Sequence, residues 1–318
     1  MHISQINTLP QYNQYLPVHK AQDRSFGLKL KPQLTNDVVN FTGYRRFLDL
    51  PKDEIFARIK RSISPDYFIG AGGEAKVYSI KGTKYCFRWP KGTADTYRTH
   101  LDFDISEADK VNHVVANLGG GATIMNRLKG VPVKTDKMTA EQIQQVAQTI
   151  VDFPVQSYRT FMHQLADADR KNMYFDNFWP NVIINPKDKT ITAIDFVKDF
   201  PYAEEFAPLG KMFSVLTHDG NTVDQMGMIA NKILKAALKD LAPGQKPCIP
   251  PNQFDFSLFL IDLRNLNKFP IADESYCDLF NALERVVELK ELELKGENVT
   301  SMLKNDIQVA KEIIDLMF

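Results

Sequence analysis

The sequence predicts an α+β fold: a small β-rich part with one helix, a connector, and a larger helical part with one strand hairpin set into it. Three observations carry this expectation. Residues 67–90 hold short β-branched and aromatic runs separated by glycines and turn residues. Helical periodicity takes over at Thr139 and returns along most of the chain after Pro208. Between them, Val182–Asn185 and Thr190–Ile194 flank the turn Pro186-Lys187-Asp188-Lys189 and read as a hairpin. A two-part layout of this kind places a cleft between its parts.

Residues 1–45 are polar, rich in Gln, Asn and Pro, and without a sustained period, so they read as a flexible leader. The same composition suits an uncleaved export leader of the kind that injected bacterial effectors carry. Residues 46–125 form the β-rich part. Pro51-Lys52-Asp53-Glu54 starts a helix through Lys60. Tyr67-Phe68-Ile69 is a strand running into Gly70-Ala71-Gly72-Gly73, and Ala75–Ile80 is the next. Lys81-Gly82-Thr83 is a tight turn into a strand over Lys84–Trp89, closed by Pro90. The spacing of Ile105, Ala108, Val111, Val114, Val115 and Leu118 predicts a helix over 104–118, ended by Gly119-Gly120-Gly121. Ala122–Leu128 reads as a strand and connector. Residues 126–318 form the helical part. Thr139-Ala140-Glu141-Gln142 has capping-box form and opens a helix to about Val151. Phe153-Pro154 breaks it, and a second helix runs to about Lys171. Further helices are expected over about 222–241, 273–294 and 299–317, with a proline-rich loop at 242–253.

The chain has 318 residues, 44% hydrophobic and 25% charged, enough for a soluble protein with a sizeable core. Its 39 Lys and Arg balance 39 Asp and Glu, so no long-range field draws it to nucleic acid or an acidic membrane. Cys86, Cys248 and Cys277 are far apart and form no CxxC pair, which fits a reducing compartment and no disulfide framework. No apolar run reaches the roughly 18 residues of a membrane helix. Oligomeric state is not written in the sequence.

The residues that carry chemistry fall in three places. Glycines at 70, 72 and 73 between two strands let the backbone approach phosphates. Arg88, near the end of the third strand, supplies a cation that Glu107 can orient. Asp176 and Asn181 stand at the entrance of the hairpin and Asp195 at its exit. An Asp closing a buried strand is costly unless paired or metal-bound, so the joint spacing points to a metal–nucleotide site.

These residues resemble the protein-kinase-like superfamily in the minimal form of bacterial effector kinases. Gly70-Ala71-Gly72-Gly73-Glu74-Ala75-Lys76-Val77 resembles G-x-G-x-x-G-x-V, and Tyr85-Cys86-Phe87-Arg88 takes the place of V-A-I-K. Tyr174-Phe175-Asp176-Asn177-Phe178-Trp179-Pro180-Asn181 resembles H-R-D-L-x-x-x-N, and Asp195-Phe196-Val197 resembles D-F-G. The resemblance spans 65–200 and implies a two-lobe kinase-like fold, with Ile124–Leu128 as hinge. It implies ATP as cofactor, under Gly70, Ala71, Gly72 and Gly73 and beside Val77, Arg88, Met125 and Leu128. Asn181 and Asp195 would hold Mg²⁺, Asp176 would orient the accepting hydroxyl, and Arg88 with Glu107 would complete the catalytic set.

Several positions depart from the family pattern. Arg88 replaces Lys, Tyr174-Phe175 replace His-Arg, and Val197 replaces Gly. Phe178 stands where Ser/Thr kinases carry a Lys, and Phe206-Ala207-Pro208 is a poor A-P-E. Lys76 is an alternative cation, whereas Lys84 lies four residues behind Arg88. The expected activity is phosphoryl transfer to a protein hydroxyl, Ser or Thr first, with a substrate that a host cell could supply. The alternatives are a pseudokinase that binds a partner, and a kinase fold that acts on a small molecule or transfers AMP.

Overall fold

A computed structural model of the chain describes residues 46–91, 111–118, 121–133, 138–175, 181–198, 208–218, 220–266 and 271–318. The leader at 1–45 lies outside them. Contacts group Phe47–Phe318 as one unit. The architecture is α+β, with an antiparallel sheet region followed by a helical C-terminal part.

Helix α1 (Lys52–Ser62) carries Asp53 and Glu54 in its first turn and Lys60 and Arg61 in its last, in the sense the helix dipole favours. Strands β1 (Phe68–Ala71), β2 (Ala75–Ser79), β3 (Tyr85–Pro90), β4 (Val114–Asn117) and β5 (Thr123–Asn126) form one sheet in the order β1-β2-β3-β5-β4. Its register aligns Tyr78, Phe87, Ile124 and Ala116 in a row across four strands. Phe87, Ile124 and Ala116 are fully buried and join Ile55 and Ile59 of α1 in a small core, with Tyr78 and Trp89 packed against it. Tyr78 stacks on Phe87 at 5.2 Å between ring centroids. One face of the sheet is thus committed to α1.

The expected helix over 104–118 is corrected at its C-terminal end. Val114–Asn117 is β4, paired antiparallel with β5. His113 adopts φ 59°, which stops a right-handed helix, and the β-branched pair Val114-Val115 suits a pleated strand. Helical spacing there was a by-product of apolar residues that alternate into a sheet.

A short strand, β6 (Val131–Pro132), follows the connector. Helix α2 (Ala140–Val151) has the capping box foreseen at Thr139, whose side chain accepts from the Gln142 N–H. Helix α3 (Val155–Asp169) buries Tyr158, Phe161, Met162 and Leu165. Strands β7 (Met173–Phe175), β8 (Val182–Asn185), β9 (Thr190–Ala193) and β10 (Phe196–Lys198) come next. They pair as β10-β7 and β6-β8-β9. Helices α4 (Pro208–Leu216), α5 (Val223–Asp240), α6 (Phe256–Asn265), α7 (Asp273–Leu294) and α8 (Thr300–Met317) complete the chain. β6, β7, β10, α4 and α6 went unforeseen, the strands being only two or three residues long. A second, larger core runs through α3, α5 and α7 and takes in the inner face of the hairpin. Among the described residues, no helix is long and apolar enough to cross a membrane.

Candidate functional site

The β8–β9 hairpin is built locally. The Asn185 side-chain oxygen accepts from the N–H groups of Lys187 and Asp188 at 3.1 and 3.2 Å, which folds the turn. The Ser157 hydroxyl of α3 donates to the Lys189 carbonyl and ties the turn to the core. Alternation then sends Val182, Ile184, Ile191 and Ala193 into the large core. Asn181, Ile183 and Thr192 fall on the opposite face.

Two of the sequence-predicted residues, Asn181 and Asp195, flank the open end of this hairpin. The Ile194 N–H donates to the Asn181 carbonyl at 2.8 Å, forming a rung just beyond β8 and β9. Asp195 is the next residue. Its backbone has φ 69°, in the left-handed region where Asp is one of the few tolerated side chains. Asp195 is exposed, not buried as its place at the end of a strand suggested, so desolvation does not make its charge costly. The constraint is on its backbone instead.

The backbone is held on both sides by amide side chains. Before it, Gln164 of α3 accepts from the Ala193 N–H at 2.9 Å and donates to the Ala193 carbonyl at 2.7 Å. After it, Asn112 accepts from the Phe196 N–H at 2.8 Å and donates to the Phe196 carbonyl at 2.8 Å. Each amide imitates a neighbouring strand. The Phe196 ring then packs on Phe175 at 5.1 Å, and Phe175 sits edge-on to Phe161 at 6.4 Å. Phe175 pairs with Phe196 across β7 and β10. Asp176 follows Phe175 in the chain and lies outside the described residues, as does Glu107.

Of the other predicted residues, Gly70, Val77, Arg88 and Met125 share one face of the five-stranded sheet, whereas Ala71 pairs with Lys76 on the opposite face and Gly72, Gly73 and Leu128 lie outside its strands. Gly70, Val77, Arg88 and Thr123 form a row across β1, β2, β3 and β5, and Cys86 and Met125 form the next. This face is opposite the one packed on α1. Lys76 pairs with Trp89 on the α1 side, so it is not an alternative to Arg88. Lys84 precedes β3 with its ammonium 5.5 Å from the Tyr85 ring centre. Arg88 donates to the Gly121 carbonyl at 3.2 Å and contacts the Glu74 carboxylate at 3.4 Å. Lys91 donates from its side chain to the Gly72 carbonyl and from its main chain to Glu74. Sequence reasoning missed Lys91, Asn112 and Gln164. A cation directly after the third strand was the only available signal for the first, and nothing marked the two amides.

Gly70, Gly72 and Gly73 have no φ in the left-handed region, and a Cβ on any of them meets nothing within 4 Å. Neither backbone nor packing among the described residues requires glycine there. Gly130 is different: at φ 129° a Cβ would stand 2.6 Å from the Ile184 carbonyl oxygen and 2.7 Å from Ile183 Cγ2. That glycine lets the connector bearing Leu128 pass close against β8. Burial pushes the Cys86 thiol up to about 11, so it is a neutral wall residue.

A second polar cluster ties α3, α5 and the proline-rich loop. His163 and Arg159 both reach the same oxygen of the fully buried Asp240, at 2.7 and 3.1 Å, and the Cys248 N–H takes the other at 3.0 Å. Burial alone would raise the Asp240 carboxyl, but these hydrogen bonds outweigh it and hold it below the usual range. The ligand-capable atoms of His163, Asp240 and Cys248 lie within 4.8 Å of one another. The Arg159 guanidinium already supplies the cation there, and the Cys248 thiol is pushed up to about 12 by burial and Asp240.

No protein-family model matches the chain, and no curated protein matches its sequence.

Proposed function

We infer that the chain is a two-lobe, kinase-like phosphotransferase that uses ATP and Mg²⁺ and acts on a protein hydroxyl. The observation that carries this reading is the open end of the β8–β9 hairpin. Asn181 and Asp195 stand there one rung apart, and the residue before Asp176 pairs with the residue after Asp195. Asn181 and Asp195 offer an amide carbonyl and a carboxylate, hard oxygen donors that suit Mg²⁺, which keeps its remaining positions for water and phosphate. When bound, such an ion neutralises charge on the phosphates.

The sheet face fits the same reading. Val77, Cys86 and Met125 give an apolar wall, with Arg88 and Gly70 in the adjoining row. The two separate cores fit two lobes, with the connector 127–130 between them. Glycines that the fold does not need at 70, 72 and 73 suit close approach of phosphate to backbone. Chain connectivity keeps Asp176 within one Cα step, about 3.8 Å, of Phe175. There it would orient the accepting hydroxyl while the nucleotide is positioned, and the rate gain comes from geometry and charge, not covalent chemistry.

A partner-binding pseudokinase is the competing reading, favoured by the Arg88–Glu74 contact, which ties up the cation at the glycine loop. That contact is long and its Glu74 side chain is 90% exposed, so it opens at little cost. The active reading therefore stands first. The test is the Mg²⁺-dependent thermal shift with ATP, together with γ-phosphoryl transfer to a protein mixture. Asp195→Asn serves as control because Asn keeps the left-handed backbone while removing the charge. Binding without transfer would leave the pseudokinase, and intact-mass analysis of products separates phosphoryl from adenylyl transfer.

A further inference from the structure

Asp195 sits at φ 69° between two main-chain segments that other side chains hold. The two peptide segments on either side of Ile194-Asp195 are each fixed by a bidentate side-chain amide, Gln164 on Ala193 and Asn112 on Phe196. Gln164 also reaches His113 Nε2 at 3.4 Å, so the two clamps touch through the residue next to Asn112. They come from different parts of the chain: Gln164 from α3 in the large core, Asn112 from the turn that leads into β4. A main-chain pair of hydrogen bonds could have been made by an adjacent strand, but a strand would also flatten the segment. A side-chain amide satisfies the same donor and acceptor while leaving Asp195 free to keep φ 69°.

The geometry points to Asn112 as a positioning residue that fixes the backbone from which the Asp195 carboxylate projects, and so sets divalent-cation affinity. This rests on the metal-site reading above and deepens it. Asn112 touches neither cation nor nucleotide in this scheme; it acts through the Phe196 peptide. It also makes cation affinity depend on the segment that joins 92–110 to β4, since any shift of that turn moves the Phe196 peptide. Gln164 has the lesser influence, because it holds Ala193, two residues from Asp195, whereas Asn112 holds the adjacent Phe196.

The test measures the Mg²⁺ concentration giving half of the ATP-dependent thermal shift, in the full-length wild type, Asn112→Ala and Asn112→Asp. Hydrogen exchange of the peptide spanning 190–198 is followed in the metal-free proteins. Asn112→Ala is expected to raise the Mg²⁺ midpoint about tenfold, the usual scale for losing a group that orients a ligand. Exchange should quicken at Asp195–Val197 and not in β8. Asn112→Asp keeps the acceptor for the Phe196 N–H and loses the donor, so it should recover part of the midpoint and remains informative if the Ala variant folds poorly. A wild-type midpoint in both variants, with a lowered melting temperature alone, would overturn the positioning role and leave the metal site standing. No Mg²⁺ response in the wild type would overturn the metal site and the positioning role together.

Discussion

At the scale of single residues, backbone conformation constrains Asp195 more than burial does. Asp195 is exposed but held at positive φ, so its substitutions should sort by backbone tolerance. Asp195→Ala is expected to lose about 1 kcal/mol more stability than Asp195→Asn in urea unfolding, because Ala bears the left-handed strain that Asn accepts. Both should abolish the Mg²⁺ response. Cysteine reactivity gives a second check. Cys86 is buried with its thiol pushed up to about 11, whereas Cys277 is exposed. Alkylation at pH 8 should modify Cys277 and spare Cys86 until the protein unfolds. That Asn181 and Asp195 stand at the two ends of one hairpin was legible from the strand and turn residues between them. The amides at 112 and 164 were not, since a clamp on main-chain atoms can come from any element that folds nearby.

Among elements, the glycine loop and the connector make opposite demands. Gly72→Ala and Gly73→Ala meet no neighbour and no forbidden φ, so each should leave the ligand-free protein unchanged or up to about 0.5 kcal/mol more stable. ATP should nevertheless bind more weakly to both. Gly130→Ala should destabilise by about 2 kcal/mol or more, because its Cβ meets the β8 main chain. The staple between α3, α5 and the proline-rich loop tests differently. Asp240→Asn leaves the largely buried Arg159 charge unpaired and should cost about 3 kcal/mol near neutral pH. The Asp240 carboxyl is depressed in the folded state, so its contribution is full above the unfolded value of about 4 and fades as pH falls through the lower folded one. Melting temperatures of wild type and variant should therefore draw together only below about pH 4. Elements with caps or turn chemistry, such as α2 and the hairpin, were readable because local sequence decides them. β4 was misread because its pairing with β5 overrides the helical spacing.

Over the whole molecule, the order of parts was legible, and the division of the hydrophobic interior into two cores explains why. Apart from Val111, which joins the large core, a small core under the five-stranded sheet and a large one through the helices each follow a continuous stretch of sequence. The larger core should protect α3 and α5 from hydrogen exchange more strongly than β1–β3. What stayed hidden was the coupling between the parts, since Asn112 and Phe196 are 84 positions apart. The central claim is that the open end of the hairpin is a cation site for a nucleotide. Its most direct measurement is the melting temperature of the wild type and Asp195→Asn with ATP, as Mg²⁺ is raised from zero. The account predicts a Mg²⁺-dependent rise in the wild type and none in Asp195→Asn, at equal ligand-free stability. An equal rise in both proteins, or none in either, would contradict it.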